Sequence, residues 1–118
     1  MIHVEVGQGT LSVWHAPWTR LFVRRARTRV PLEAIQDVQL VTDPLAAARG
    51  THSGLLVTGF AKVGTWRELG GVKRLVCARR DLPGLRITLG RRIEGVDELI
   101  LSVPAAEQLR QRILGVPA

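Results

Sequence analysis

The residues of this chain with the greatest potential for chemistry are arginines that lie close together in two groups. The first group is Arg24, Arg25, Arg27 and Arg29, and the second group is Arg79, Arg80, Arg86, Arg91 and Arg92. A guanidinium group donates paired hydrogen bonds whose geometry matches a phosphate or a carboxylate. We therefore expect these arginines to form a face that binds an anionic lipid headgroup, a nucleic-acid backbone or an acidic protein. A solvated strand face without a ligand is the alternative interpretation.

Residue types that would support catalysis or a metal site lack a suitable spacing. No two of the histidines His3, His15 and His52 are separated by two or four positions, which disfavours a metal site. The single cysteine, Cys77, lies in the strand-like run VKRLVCAR and is predicted to be a buried thiol. The acidic residues Glu94, Asp97 and Glu98 are predicted to lie in a solvated hairpin. The sequence thus predicts no catalytic residue, no metal and no cofactor, and hence no enzyme.

A glycine-containing segment, Gly59 to Thr65, has the glycine spacing of a phosphate-binding loop. The lysine that should follow the second glycine is replaced by Thr65, which is followed by Trp66. Without that lysine the loop has no side chain to reach the outer phosphates. The glycines are therefore interpreted as a tight turn or a bulge between strands.

Three tryptophans are the main aromatic residues of the chain. Trp14 and Trp66 are predicted to lie in the core, whereas Trp18, which follows Pro17, is predicted to be exposed and is added to the candidate binding residues. Nucleic-acid binding by base stacking usually requires several exposed aromatic side chains, and this chain has no tyrosine. Nucleic acid is therefore the less favoured partner.

Length and composition predict one folded domain over residues 1–118. The chain is 46% hydrophobic, which is enough for a core, and it contains no apolar run long enough to cross a membrane. The beginning of the chain does not resemble a signal peptide, so a cytoplasmic location is expected. The formal net charge is +7. Because lysine, asparagine and tyrosine are rare or absent, this charge could equally reflect a GC-rich coding sequence.

The arginines must be positioned by β-strands, because short runs of alternating polarity separated by turn residues dominate the chain. Strands are predicted at Ile2 to Val6, Thr10 to Trp14, Leu21 to Ala26, Ile35 to Val41, Leu55 to Val57, around Gly64 to Trp66, and at Val72 to Arg79, Leu85 to Leu89 and Glu98 to Val103. The third of these runs, if extended, places Arg25, Arg27 and Arg29 on one strand face. A single helical turn is predicted at Pro31 to Ala34.

Two further segments are predicted from their composition. The segment from Thr42 to Gly54 is expected to be the longest and most mobile loop, with a brief helix at Leu45 to Ala48. The last element is an amphipathic helix from about Pro104 to Leu114, whose Ala106, Leu109 and Ile113 share one face. Pro104 is expected in its first turn. These elements predict a mainly β protein, either a strongly bent antiparallel sheet or a partly open barrel, capped by one C-terminal helix.

Several of these runs together resemble the bacterial pleckstrin-homology-like domains. The resemblance rests on VPLEAIQDVQLV at Val30 to Val41, GFAKVGTW at Gly59 to Trp66, GVKRLVCAR at Gly71 to Arg79, and the closing PGLRITL, DELILSV and PAAEQLRQRI. In that family a Pro-Leu entry precedes a strand, a glycine-containing segment spans the middle of the barrel, and a helix follows the last strand. The resemblance implies phosphoinositide binding, peptide binding or self-association, which occur in different branches.

The sequence therefore predicts a non-enzymatic interaction module with an Arg-rich binding face. The expected partner is a protein, including a second copy of the chain as a homodimer, or an anionic lipid headgroup. Self-association is expected through the edges of Val72 to Arg79 and Leu85 to Leu89, because these runs contain no proline that would block strand pairing. A nucleic-acid-binding protein that uses the same basic face is the alternative function.

Overall fold

The structure, a computed structural model, describes residues 1–115. Its strands are β1 (Ile2–Gly7), β2 (Thr10–His15), β3 (Arg27–Pro31), β4 (Ile35–Val41), β5 (Thr51–Val57), β6 (Ala61–Arg67), β7 (Lys73–Arg79), β8 (Gly84–Ile93) and β9 (Val96–Ser102). Its helices are α1 (Arg20–Val23), α2 (Pro44–Ala47) and α3 (Ala106–Leu114), with 3-10 turns at Pro17–Thr19 and Leu32–Ala34. The described chain is thus mainly β with one longer helix at its C-terminal end, as predicted.

The strands form two sheets and no closed barrel within the described residues. The smaller sheet has the order β1-β2-β3, and the larger sheet has the order β4-β8-β9-β7-β6-β5. The main apolar core includes buried side chains from both sheets and from α3, among them Leu11, Val30, Leu75, Leu99 and Leu109. The two sheets and the helix therefore enclose a common core.

The larger sheet is not wholly antiparallel, which corrects the predicted arrangement. Strand β9 pairs antiparallel with β8 but parallel with β7, with Leu75 opposite Leu99 and Cys77 opposite Leu101. Strands β7 and β8 are consecutive in the chain but not neighbours in the sheet, because β9 lies between them. The strand order makes β7 and β8 interior strands. The prediction that these two runs offer open edges is therefore wrong, because the edges of this sheet are β4 and β5.

The run from Leu21 to Ala26, predicted as a strand, instead begins with the short helix α1. This helix ends at Arg24, which adopts the left-handed conformation with φ 62° and donates its N–H to the Arg20 carbonyl oxygen at 2.8 Å. Val23 is buried against the core. Strand β3 begins only at Arg27, so Arg25 does not share a strand face with Arg27 and Arg29. The strand prediction is wrong here because apolar residues at such short spacing fit one helical turn as well as a strand.

The segment from Thr42 to Gly54 is more ordered than the predicted long loop. Its brief helix is present as α2, and β5 already begins at Thr51. Helix α2 covers a second, smaller apolar cluster that includes Trp66, Val76 and Ile100 on the convex face of the larger sheet. The Lys62 ammonium group donates to the carbonyl oxygens of Leu45 and Ala48, both at 2.8 Å. These contacts fix the segment across the sheet.

The C-terminal helix α3 buries the predicted face, formed by Ala106, Leu109 and Ile113. The helix begins at Ala106, two residues later than predicted, because Ala105 is its N-cap residue and Pro104 lies before it. Gly115 ends the helix in the left-handed conformation that glycine adopts readily. No helix among residues 1–115 is both long enough and apolar enough to cross a membrane.

The segment Gly59 to Thr65 forms a turn and the following strand, which agrees with its interpretation as a turn between strands. Gly59 lies in the turn between β5 and β6 with φ 74°. Gly64 lies within β6 opposite Gly54, and a Cβ atom on Gly64 would come within 2.5 Å of the Ser53 carbonyl oxygen. The second glycine therefore serves the close approach of two strands.

Candidate anion-binding cleft

The concave face of the larger sheet changes from apolar to polar at one end. Towards the core this face carries Leu55, Val63 and Cys77, whose side chains lie in or against the main cluster. The same alternating positions at the end of the sheet are polar: Thr51 and Ser53 in β5, Thr65 and Arg67 in β6, and Lys73 in β7. A polar group on the inward side of a sheet normally requires a partner or solvent. Here these residues line an open cleft.

Helix α1 forms the opposite wall of this cleft, which has a volume of about 430 Å³. Phe22 and Val23 contribute apolar surface, and Arg24 and Arg25 follow them directly. The left-handed conformation of Arg24 is uncommon for a residue other than glycine and turns the chain sharply at the cleft. The volume falls within the range typical of small-molecule sites.

The cleft is strongly basic, because Arg24, Arg25, Arg67 and Lys73 all line it and none of its described lining residues is acidic. Only Arg25 has an acidic partner among these four in the described chain: its Nη1 atom lies 3.2 Å from the Glu94 carboxylate. That pair is partly exposed and of low energetic value. Three cations therefore face the cleft without a carboxylate partner within ion-pair distance, and they can donate hydrogen bonds to an anion.

The first predicted arginine group is divided between two places. Arg24 and Arg25 line the cleft, whereas Arg27 and Arg29 lie on the outer face of β3. The Arg27 guanidinium lies over the Trp14 ring, 4.5 Å from its centroid. This cation–π contact holds the Arg27 side chain against Trp14, away from the cleft.

The second predicted group is dispersed, and most of its members are paired with carboxylates. Arg79 contacts Asp81 at 2.7 Å, Arg92 contacts Asp97 at 2.7 Å, and Arg91 donates to Glu33 at 2.8 Å. Arg86 lies 3.1 Å from the Glu98 carboxylate, and Arg80 is exposed beside α2. None of the five lines the basic cleft. The two sequence groups thus do not converge on a single face.

The tryptophans follow the predictions in two of three cases. Trp66 is buried and Trp18 is half-exposed, as expected. Trp14, predicted to lie in the core, is 38% exposed, because β2 turns this residue away from the core and towards Arg27. Trp18 lies in the 3-10 turn that precedes α1 and is not among the residues lining the cleft.

An ion pair is buried on the convex face, and it corrects the prediction that Glu98 lies in a solvated turn. Glu98 is only 4% exposed, and it accepts a hydrogen bond from Arg74 Nε at 2.8 Å. Burial alone opposes the charge of Arg74, but its hydrogen bonds to Glu98 and Glu68 outweigh this effect and raise its pKa. Arg74 also donates to the Arg49 carbonyl oxygen at 3.2 Å. This network joins the end of α2 to the centre of the sheet.

A second buried polar group joins the two sheets. His15 Nε2 lies 2.8 Å from the Thr28 hydroxyl, and His15 Nδ1 lies 3.8 Å from Cys77 Sγ. Burial raises the pKa of the Cys77 thiol to about 12 and, with a smaller contribution from nearby Arg25, lowers the pKa of His15 to about 4. At neutral pH the group therefore consists of a thiol and a neutral imidazole. Cys77 is buried, as predicted, and a thiol in this form is a weak nucleophile.

Sequence reasoning missed Arg67 and Lys73, which supply half of the cations in the cleft. Arg67 is followed by the oppositely charged Glu68, and Lys73 has only Arg74 as a basic neighbour, so neither belongs to one of the longer arginine groups that the sequence shows. A usable signal was the change from apolar to polar residues at alternate positions of β5 and β6. That signal indicates an inward-facing polar end only if the strand register is known.

Comparisons with known proteins give no match: neither the protein-family models, nor the curated proteins, nor the solved structures contain one.

Proposed function

We propose that this protein is a non-enzymatic interaction module that binds an anionic group in the cleft between α1 and the concave end of the larger sheet. The observation that carries the proposal is the presence of four cationic side chains around one cleft that has no acidic lining residue among residues 1–115. Hydroxyl groups of Thr51, Ser53 and Thr65 line the same cleft and can donate further hydrogen bonds. A phosphate or a carboxylate is the complementary ligand group.

We also propose a relationship to the pleckstrin-homology-like domains, which is the finer interpretation of the fold. The strongly β character of the chain and the packing of α3 against the core support it. The parallel pairing of β7 with β9 is a departure from the wholly antiparallel sheet expected of such a domain. The proposed anion site does not depend on this relationship, because it rests on the residues of the cleft.

Binding of inorganic pyrophosphate tests the proposed function. Isothermal titration with the wild-type protein should detect binding, and Arg67→Gln or Lys73→Gln should each weaken it by about tenfold through loss of a charge-assisted hydrogen bond. Arg29→Gln and Arg80→Gln are the matched controls, since they remove the same charge from exposed positions outside the cleft. Equal losses in all four variants would indicate a general effect of net charge and contradict the proposal.

A further inference from the structure

The two sheets have four edge strands, and the edges differ in how well their backbone groups are protected. The edges are β1 and β3 in the smaller sheet and β4 and β5 in the larger sheet. Unpaired N–H and C=O groups on an edge can pair with a strand of another chain unless charge, proline, a bulge or a covering element prevents it. An edge without such protection is therefore where a strand of another chain could pair.

Three of the four edges carry a recognisable protection. In β1, the Val6 carbonyl oxygen accepts a hydrogen bond from Arg112 in α3 at 3.2 Å. In β4, the Val38 carbonyl oxygen accepts one from Arg110 in α3 at 3.3 Å, and the strand has an irregular register near Ile35. Strand β3 carries two arginines and ends at a proline. The helix α3 and local sequence thus block pairing at these edges.

Among the described residues, strand β5 carries none of the charge, proline or register irregularity that protects the other edges, although α1 contacts it at the cleft. Its sequence, THSGLLV, contains no acidic residue, no lysine or arginine and no proline, and most of its residues are exposed. Its backbone pairs with β6 on one side, and within residues 1–115 its one other backbone bond runs from the Phe60 N–H to the Val57 carbonyl oxygen in the following turn, at 2.9 Å. The outer edge of β5 is therefore available for pairing.

The two faces beside this edge have different chemistry. On the concave face, Thr51 and Ser53 belong to the basic cleft. On the convex face, Leu56 is 43% exposed and lines a cavity of about 570 Å³ together with Leu45 of α2 and the charged residues Asp43, Lys62 and Arg80. Successive side chains of a strand point to opposite faces of its sheet. A strand added to β5 would thus present alternate residues to the basic cleft and to the exposed side chain of Leu56.

We propose that β5 receives an extended segment of another protein as an added strand, in which acidic residues alternate with apolar residues. The acidic side chains enter the cleft, and the apolar side chains cover Leu56. This inference rests on the proposed function for its acidic contacts and goes beyond it by naming the partner and its conformation. A second copy of the chain is a poorer occupant, because its β5 brings no carboxylate and its net charge is +7.

The probe for this proposal is a synthetic peptide of about eight residues, a typical strand length, in which glutamate alternates with valine. Binding should protect alternate backbone amides of β5 from hydrogen exchange, as measured by NMR. Replacing each glutamate by lysine should abolish binding. Leu56→Ala should weaken binding by about tenfold, whereas Leu40→Ala, which truncates a similarly exposed leucine in β4, should leave it unchanged.

Two further peptides test the backbone pairing itself. In one peptide the odd-numbered amides are N-methylated, and in the other the even-numbered amides are. Only one set of amides faces β5, so one peptide should bind like the parent and the other should lose binding. Equal binding by both peptides, or unchanged exchange of the β5 amides, would overturn the proposal.

Parallel titrations separate this inference from the proposed function. If pyrophosphate binds but the parent peptide does not, the added-strand proposal fails alone, and if neither binds, both proposals fail. Light scattering of the protein without peptide should give a constant mass of 13.0 kDa across a concentration series. A doubled mass, together with protection of the β5 amides, would show that a second copy occupies the edge instead.

Discussion

His15 is a buried imidazole whose protonation is opposed by the fold. Burial, and then the nearby charges of Arg25 and Arg20, lower the pKa of His15 from 6.5 to about 4. The unfolded chain therefore binds more protons than the folded protein below pH 6.5, and acid favours unfolding. We expect urea unfolding to show a loss of up to about 3 kcal/mol of stability as the pH falls from 6.5 to 4.

Variants of two histidines identify the source of this pH dependence. His15→Gln should flatten the stability profile between pH 6.5 and 4, whereas His3→Gln, at an exposed position, should leave the profile unchanged. The carboxyl groups of Glu33 and Asp97 affect stability only at lower pH. A hydrogen bond from Arg91 lowers the pKa of Glu33 below 4.5, and one from Arg92 lowers the pKa of Asp97 below 3.8. The stability that these two carboxylates contribute is therefore lost only as the pH falls below these values. An unaltered profile in His15→Gln would contradict the assignment.

Glu98 is the acidic side chain on which stability should depend most. Glu98→Gln removes one charge of a buried ion pair and leaves Arg74 incompletely neutralised, which should cost about 3 kcal/mol in chemical denaturation. Asp81→Asn provides the control, because it breaks a solvent-exposed pair with Arg79 and should cost less than about 1 kcal/mol. A Glu98 variant as stable as the Asp81 variant would indicate that the buried pair contributes little.

Individual residues also show where prediction from sequence reaches its limit. The burial of Cys77 and Trp66 and the exposure of Trp18 followed from hydrophobic patterns, because these depend on neighbours along the chain. The burial of Glu98 did not, since its partner is fixed by the parallel register that places Arg74 beside it. The contact between Cys77 and His15 likewise joins two different sheets.

Helix α3 offers a test at the level of single elements. Leu109→Ala truncates a buried side chain in the core between the sheets and should lower the free energy of unfolding by about 2–5 kcal/mol. Leu114→Ala makes the same change at the end of the same helix, where the side chain is 47% exposed, and should cost less than about 0.5 kcal/mol. Equal melting temperatures for the two variants would show that α3 is peripheral to the core.

Most elements were predictable because each of them has a local pattern. The strands at Ile35–Val41 and Lys73–Arg79, the helical turn before Ile35 and the buried face of α3 match the sequence prediction closely. The run at Leu21 to Ala26 did not, because its conformation depends on the contact of Val23 with the core. Sheet order was equally inaccessible, since alternation gives the faces of a strand but not its neighbours.

The whole molecule has a net charge of +7, which attracts polyanions such as nucleic acids. The arginines are spread over several faces, and many of them are paired with carboxylates, so a continuous phosphate-binding track is absent from the described residues. We expect fluorescence anisotropy with duplex DNA or RNA at physiological salt to show only non-specific affinity, weaker than about 1 μM. A nanomolar complex that weakens steeply with salt would favour the nucleic-acid alternative.

The position of β9 has a consequence for how the chain acquires its fold during synthesis. β9 lies in the middle of the larger sheet between β8 and β7, yet it is the last of that sheet's described strands to leave the ribosome. Until residue 102 has emerged, the β5–β6–β7 meander and the β4–β8 pair are separate half-sheets, each with an unpaired inner strand. Such exposed strands are prone to aggregation. Among the stages at which the described strands are made, the nascent protein should therefore depend most on chaperones just before β9 is translated.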